Sequence, residues 1–84
     1  MKELELLKNK IKYRASYRGT KEMDILLASF VKSVVDELEY LELIKLDEFL
    51  NISDEDIYNF YLNDVIISSF NDAKILNLFK KFKM

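Results

Sequence analysis

The acidic side chains are the first candidates for chemistry, because two carboxylates in different surroundings can divide the roles of general acid and general base. There are two clusters of them, Asp54 to Asp56 and the group Asp36, Glu37, Glu39 and Glu42. In the first cluster, Ser53 and Asp56 have the spacing of a helix-capping box, at a helix end where the dipole favours negative charge. The second cluster has the pattern of a solvated helix face. We therefore interpret both as structural.

Composition excludes most other catalytic and metal chemistry. The chain has neither histidine nor cysteine, which rules out disulfides, thiolate nucleophiles, Ser-His or Cys-His pairs, and zinc sites with imidazole or sulfur ligands. Its one glycine, Gly19, is too few for a P-loop or a dinucleotide fingerprint. A calcium loop of the EF-hand type needs a glycine among its acids, and none is present there. We predict no catalytic residue and no metal site.

The sharpest local feature is the run Arg18-Gly19-Thr20-Lys21-Glu22. Gly19 can end one helix or cap the next, with Glu22 reaching back to the cap N–H. Helix capping leaves Arg18 unexplained, since lysine would serve a helix dipole equally well. A glycine at a tight corner also lets another backbone approach closely, between an arginine fork and a carboxylate. Both interpretations, a pair of helix caps and a contact site, remain open.

The aromatic residues fall into two groups. Tyr13 and Tyr17 alternate with Arg14 and Arg18, and tyrosine and arginine are enriched at protein interfaces, so this patch is either an interface or a structural surface. The second group, Tyr58, Phe60 and Tyr61, is interpreted as core and rim side chains rather than a ligand box.

Charge is unevenly distributed along a chain of net charge −2. Residues 1–22 carry +4, residues 23–63 carry −8 and residues 64–84 carry +2. A nucleic-acid-binding protein is expected to show a dominant basic field, which this chain lacks. We therefore predict that it does not bind nucleic acid.

The length of 84 residues and the mass of 10.0 kDa predict a single domain over residues 1–84, with one thin core and no deep cleft. The most apolar stretch, residues 25–31, is far shorter than the ~20 residues that cross a bilayer. The charged first residues lack the apolar core of a signal peptide. These features predict a soluble protein of the bacterial cytoplasm without membrane insertion.

Apolar residues recur at helical spacing along almost the whole chain, which predicts an all-α fold, a single compact five-helix bundle. The predicted helices are Lys2 to Tyr17, residues 20–34, Leu38 to Leu50, a fourth from the Ser53 cap to Asn63, and a fifth capped by Asn71. In the third helix Leu38, Leu41, Leu46, Phe49 and Leu50 are expected to share one buried arc. The fifth is expected to carry the apolar residues Ile75, Leu78, Phe79 and Phe82. Val65, Ile66 and Ile67 are predicted to form an apolar loop anchored on the core.

Residues 13–24 resemble the succinate dehydrogenase assembly factor 2 family, whose bacterial members are called FAD assembly factors or flavinators. Arg18, Gly19 and Glu22, followed by Met23 and Asp24, match the family's Arg-Gly-x-x-Glu signature with its hydrophobic residue and aspartate. Residues 49–63 are similar to the family's acidic turn and aromatic helix. The chain departs from the pattern in having Tyr17 where many members have a second basic residue, and Phe60 where many have tryptophan.

The resemblance implies a chaperone-like binding module rather than an enzyme. Its partner would be the flavoprotein subunit of succinate dehydrogenase, with that of fumarate reductase as a second candidate, and it would promote covalent attachment of FAD to a histidine of that partner. FAD would be attached to the partner, with no cofactor stably bound by this chain, which would be a monomer when free. The residues expected to bind the partner are Arg14, Tyr17, Arg18, Gly19, Glu22 and Asp24. Arg18 and Glu22 would dock beside the flavin site while Gly19 permits close approach.

Two other functions are compatible with the residues alone. A small helical interaction protein, such as an antitoxin or scaffold, would use the same corner for an unrelated partner. An RNA-binding module would use Lys8, Lys10, Lys12 and Arg14, although a basic helix face is usually only solvated.

Overall fold

Five α-helices account for most of residues 2–83, which are the residues that the computed structural model describes. They are α1 (Lys2–Ser16), α2 (Lys21–Val34), α3 (Tyr40–Phe49), α4 (Asp54–Asn63) and α5 (Ala73–Lys81). No strand occurs within this range. The predicted all-α class and the five-helix bundle are confirmed.

Three phenylalanine rings form the centre of the core. Phe30 of α2, Phe49 of α3 and Phe79 of α5 are fully buried, and the Phe79 ring centroid lies 4.9 Å from that of Phe30 and 5.2 Å from that of Phe49. Ile11 and Ala15 close the core from α1, which packs against α2 and α3. The amphipathic stripes thus determine which face of each helix is turned inward.

The turn between α1 and α2 uses a different N-cap for α2 from the one predicted. Thr20 is the N-cap of α2, and its hydroxyl accepts a hydrogen bond from the Met23 N–H at 3.3 Å. Gly19 lies one residue earlier with φ of +121°. The alternative in which Gly19 caps α2 is therefore wrong, because threonine supplies a side-chain acceptor that glycine lacks.

The third helix begins later than predicted. It starts at Tyr40, where the Glu42 carboxylate accepts a hydrogen bond from the Glu39 N–H at 2.8 Å. Leu38 is buried but precedes the helix, and Leu41 is exposed, so the prediction that both belong to one buried helical arc is wrong. The capping interaction fixes the start of the helix and thereby turns Leu41 away from the core.

Near the C-terminus, two further predictions need correction. The N-cap of α5 is Asp72 rather than Asn71, and its carboxylate accepts from the Ile75 N–H at 3.0 Å. Of the three residues predicted to form the apolar loop, only Ile67 is buried, while Val65 and Ile66 are exposed; Phe70, later in the same connection, is also buried. Ile67 and Phe70, whose ring centroid lies 5.5 Å from that of Phe49, anchor this loop on the core.

The ion pair of Glu42 and Lys74 links α3 to α5. The hydrogen bond from Lys74, followed by that from the Glu39 N–H, lowers the pKa of Glu42, and the bond to Glu42 raises the pKa of Lys74. Glu39 and Asp72 also face Lys74 and act in the same direction on its pKa. A carboxylate with a lowered folded-state pKa contributes stability above its unfolded pKa and loses it as the pH falls through the folded pKa.

We therefore expect Glu42→Gln to be less stable than the natural chain at pH 7, with a difference that begins to decline as the pH falls below about 4.3 and is lost once the pH falls through the lowered folded-state pKa of Glu42. Urea denaturation at a series of pH values from 7 to 3 measures this directly. Glu48→Gln, at an exposed glutamate of α3 whose ion-pair partner within residues 2–83 is the neighbouring Lys45, is the matched control. A difference that is the same at pH 7 and pH 3 would contradict the assigned role of the carboxylate charge.

Candidate functional site

The turn between α1 and α2, which we call the corner and define as residues 17–22, exposes its backbone at Gly19. With φ of +121°, Gly19 has a conformation that residues with a side chain rarely adopt. A Cβ atom built at this position would meet nothing within 4 Å. The surrounding space is therefore open, and it is the backbone conformation that requires glycine.

Arg18 lies on the inner side of the corner and binds the loop between α3 and α4. Its Nε donates to the Asp54 carboxylate at 2.8 Å, and its two terminal nitrogens donate to the carbonyl oxygens of Ile52, at 2.5 Å, and Leu50. Its side chain is only 11% exposed. We call these contacts the Arg18 clamp. The planar guanidinium of Arg18 donates to three acceptors at once. A lysine ammonium on a flexible stem does not reproduce this arrangement.

Asp24 and Arg14 also bind within the molecule. The Asp24 carboxylate accepts from the Arg18 backbone N–H at 2.5 Å, which ties the first turn of α2 to the corner. Arg14 donates to the Asp47 carboxylate at 2.5 Å and to the Asn51 side chain at 2.5 Å. These contacts hold α1 against α3 and its following loop, so Arg14, Arg18 and Asp24 all shape the site from the inside.

The other three residues predicted to bind a partner face outward. Tyr17 is 70% exposed, and its ring centroid lies 4.6 Å from that of Tyr13, which is 66% exposed. Gly19 and Glu22 are also exposed, and within residues 2–83 the Glu22 carboxylate has no hydrogen-bond or ion-pair partner. An aromatic pair, a backbone segment without a side chain and a carboxylate are thus all exposed at or beside the corner.

An open depression separates the aromatic pair from the α3–α4 loop. It has a volume of about 440 Å³ and is lined by Tyr13, Tyr17, Arg14, Arg18, Ser53 and Asp54. Both arginines are already bound to acidic partners, so the cationic charge here is largely compensated. The depression offers aromatic surface rather than a free guanidinium to an incoming group.

Sequence reasoning missed both the acceptors of the Arg18 clamp and an apolar surface beside the corner. From the sequence, Asp54 is interpreted as an acidic residue in the first turn of a helix. The carbonyl oxygens of Leu50 and Ile52 belong to the backbone, so no residue type identifies them as acceptors. Ile25, Tyr58 and Leu62 are exposed side chains of α2 and α4. Ile25 lies outside the buried stripe of α2. An apolar residue that does not follow the helical spacing of the buried stripe is a sequence signal that could have indicated this surface.

One comparison with known proteins matches nearly the whole chain. A family model described as "Flavinator of succinate dehydrogenase" matches residues 9–83, a span that includes the corner and every member of the Arg18 clamp. No curated protein and no solved structure matches the chain. Within residues 2–83, none of the helices combines the length and the apolar character of a membrane span.

Proposed function

Because the chain belongs to the flavinator family of succinate dehydrogenase, we propose that it is an assembly factor that binds the flavoprotein subunit of that enzyme and promotes covalent attachment of FAD to it. It binds the subunit before the other subunits join. The observation that carries the site assignment is the outward surface of Tyr17, Gly19 and Glu22, held in place by the Arg18 clamp.

The residues of this chain support a binding role rather than a chemical one. It contains no histidine or cysteine to carry a flavin or to act as a nucleophile. A protein of this kind acts by binding one conformation of its partner more tightly than the others, which raises the fraction of partner poised to react. The bond to FAD is then formed by groups of the flavoprotein subunit.

Each part of the corner has a distinct role in this proposal. Gly19 presents backbone without a side chain, so the subunit approaches closely. Glu22, which has no ion-pair partner among the described residues 2–83, supplies a carboxylate for a cationic or N–H donor of the subunit, and Tyr17 supplies rigid aromatic contact area. Arg18 and Asp24 fix the shape of this surface. We therefore assign Arg18 a positioning role in place of direct contact with the subunit.

The test replaces Glu22 with glutamine and measures covalent flavin on the co-expressed flavoprotein subunit by in-gel fluorescence. Loss of one charge-assisted hydrogen bond in the interface is expected to weaken binding about tenfold, and covalent flavin should fall when the assembly factor is limiting. Glu37→Gln removes an exposed carboxylate beyond the opposite end of α2 and should behave as the natural chain. Unchanged flavinylation by a folded Glu22→Gln variant would refute the site. No increase in covalent flavin with the natural chain would refute the function.

A further inference from the structure

A groove between α2 and α4 begins at the corner. One part of it is a depression of about 400 Å³ lined by Thr20, Glu22, Met23, Asp54, Glu55 and Tyr58. A second depression of about 320 Å³ is bordered by Ile25, Leu26 and Leu62 and shares Glu22 and Tyr58 with the first. Because they share two lining residues, the depressions adjoin. We call the pair the α2–α4 groove.

The end of the groove away from the corner is apolar. Ile25 and Tyr58 are each 44% exposed and Leu62 is 53% exposed, although all three are large hydrophobic side chains. Single exposed apolar residues are ordinary, but several on two adjacent helices and lining one groove are typical of an interaction site. Their burial against apolar side chains of another molecule would be favourable.

The end at the corner is acidic. Glu22 lies on the first turn of α2, and Asp54 and Glu55 lie on the first turn of α4. The Asp54 carboxylate is bound by Arg18, whereas Glu22 and Glu55 have no ion-pair partner within residues 2–83. Lys21 is close in sequence but does not line the groove. The complementary ligand group at this end is therefore a lysine or arginine side chain.

We propose that the α2–α4 groove binds an amphipathic segment of the flavoprotein subunit in which apolar side chains stand next to a lysine or arginine. The apolar side chains pack on Ile25, Tyr58 and Leu62, and the cation lies between Glu22 and Glu55. This proposal rests on the proposed function and extends the contact surface from the corner along α2 and α4.

A second copy of this chain fits the groove less well than the flavoprotein subunit does. The most basic segment of the chain, residues 1–22, contains α1, in which Lys8 is already paired with Asp36, and Lys10 and Arg14 with Asp47, within the same molecule. Residues 23–63, which contain most of the groove, carry a charge of −8 and would repel each other in a symmetric contact. Charge complementarity thus favours a basic segment from another protein.

The experiment measures the affinity of labelled assembly factor for flavoprotein subunit that has not yet acquired covalent flavin, by fluorescence anisotropy. Ile25→Asp and Leu62→Asp place a charge on the apolar end, and each should weaken binding at least about tenfold. Leu41→Asp is the matched control, because Leu41 is 74% exposed on α3 and lies outside the groove.

Glu55→Lys should also weaken binding and reduce its dependence on salt. Circular dichroism checks that each variant is folded, and Leu62→Ser is a milder second variant.

A photo-crosslinking residue at position 62 identifies the occupant. The proposal predicts a crosslink to a subunit peptide that contains apolar residues beside a lysine or arginine. Groove variants that bind the subunit as the natural chain does, while the natural chain still promotes flavinylation, would overturn the groove and leave the proposed function standing. Crosslinks between two copies, with groove variants altering self-association alone, would also overturn it. A natural chain that neither binds the subunit nor promotes flavinylation would overturn both proposals.

Discussion

Replacing Phe79 with alanine is expected to remove about 3–5 kcal/mol from the free energy of unfolding. The Phe79 ring is fully buried, and its centroid lies within 5.2 Å of those of Phe30, Phe49 and Tyr61. The Phe79 side chain therefore contacts α2, α3 and α4 and joins α5 to all three. A chain of 84 residues has a total stability of about 4–13 kcal/mol, so the loss is a large part of what holds the fold.

Urea denaturation followed by circular dichroism measures the change. Phe82→Ala is the matched control on the same segment, because Phe82 is only half-buried, with its ring 5.7 Å from that of Phe30, and its truncation should cost clearly less. Phe79→Leu keeps most of the buried volume and should be intermediate. If Phe79→Ala were no less stable than Phe82→Ala, α5 would not close the core as described.

The arrangement of the helices could be predicted because its signals are local. The spacing of Ile75 and Phe79 is enough to define the buried face of α5, and the Ser53 cap, which accepts from the Asp56 N–H at 3.2 Å, marks the start of α4. The sequence did not identify the helix cap where either of two adjacent residues could cap the helix. Thr20 and Gly19 are both competent caps, and only the backbone conformation shows which one is used.

The candidate site was predictable in position but not in orientation. Arg18, Gly19 and Glu22 occupy one turn, so their proximity follows from sequence alone. The direction of the Arg18 side chain instead depends on acceptors 32 to 36 residues further along the chain. Two of these acceptors are backbone carbonyls, which every residue has, so no residue type in the sequence identifies them. The inward orientation of Arg18 required the tertiary structure.

Replacing Arg18 with methionine is expected to lower the free energy of unfolding by about 2–3 kcal/mol and to weaken binding of the flavoprotein subunit. Methionine keeps an unbranched apolar stem of moderate length but leaves the carbonyls of Leu50 and Ile52 and the Asp54 carboxylate without their donor. Amide hydrogen exchange in residues 50–54 should accelerate, because the loop loses its attachment to the corner. Arg18→Lys should restore little of the stability, since one ammonium cannot reach all three acceptors.

Asp54→Asn separates a positioning role of Arg18 from direct contact with the subunit. It removes the same ion pair from the other side while leaving the arginine in place, so a positioning role predicts that both substitutions weaken binding of the subunit. The double variant should then lose less than the two single effects combined, because they act on one clamp. Measurements at low temperature, with each variant shown to be folded, remove the contribution of global unfolding. If Asp54→Asn binds the subunit normally while Arg18→Met does not, the guanidinium must leave its internal acceptors and contact the subunit itself.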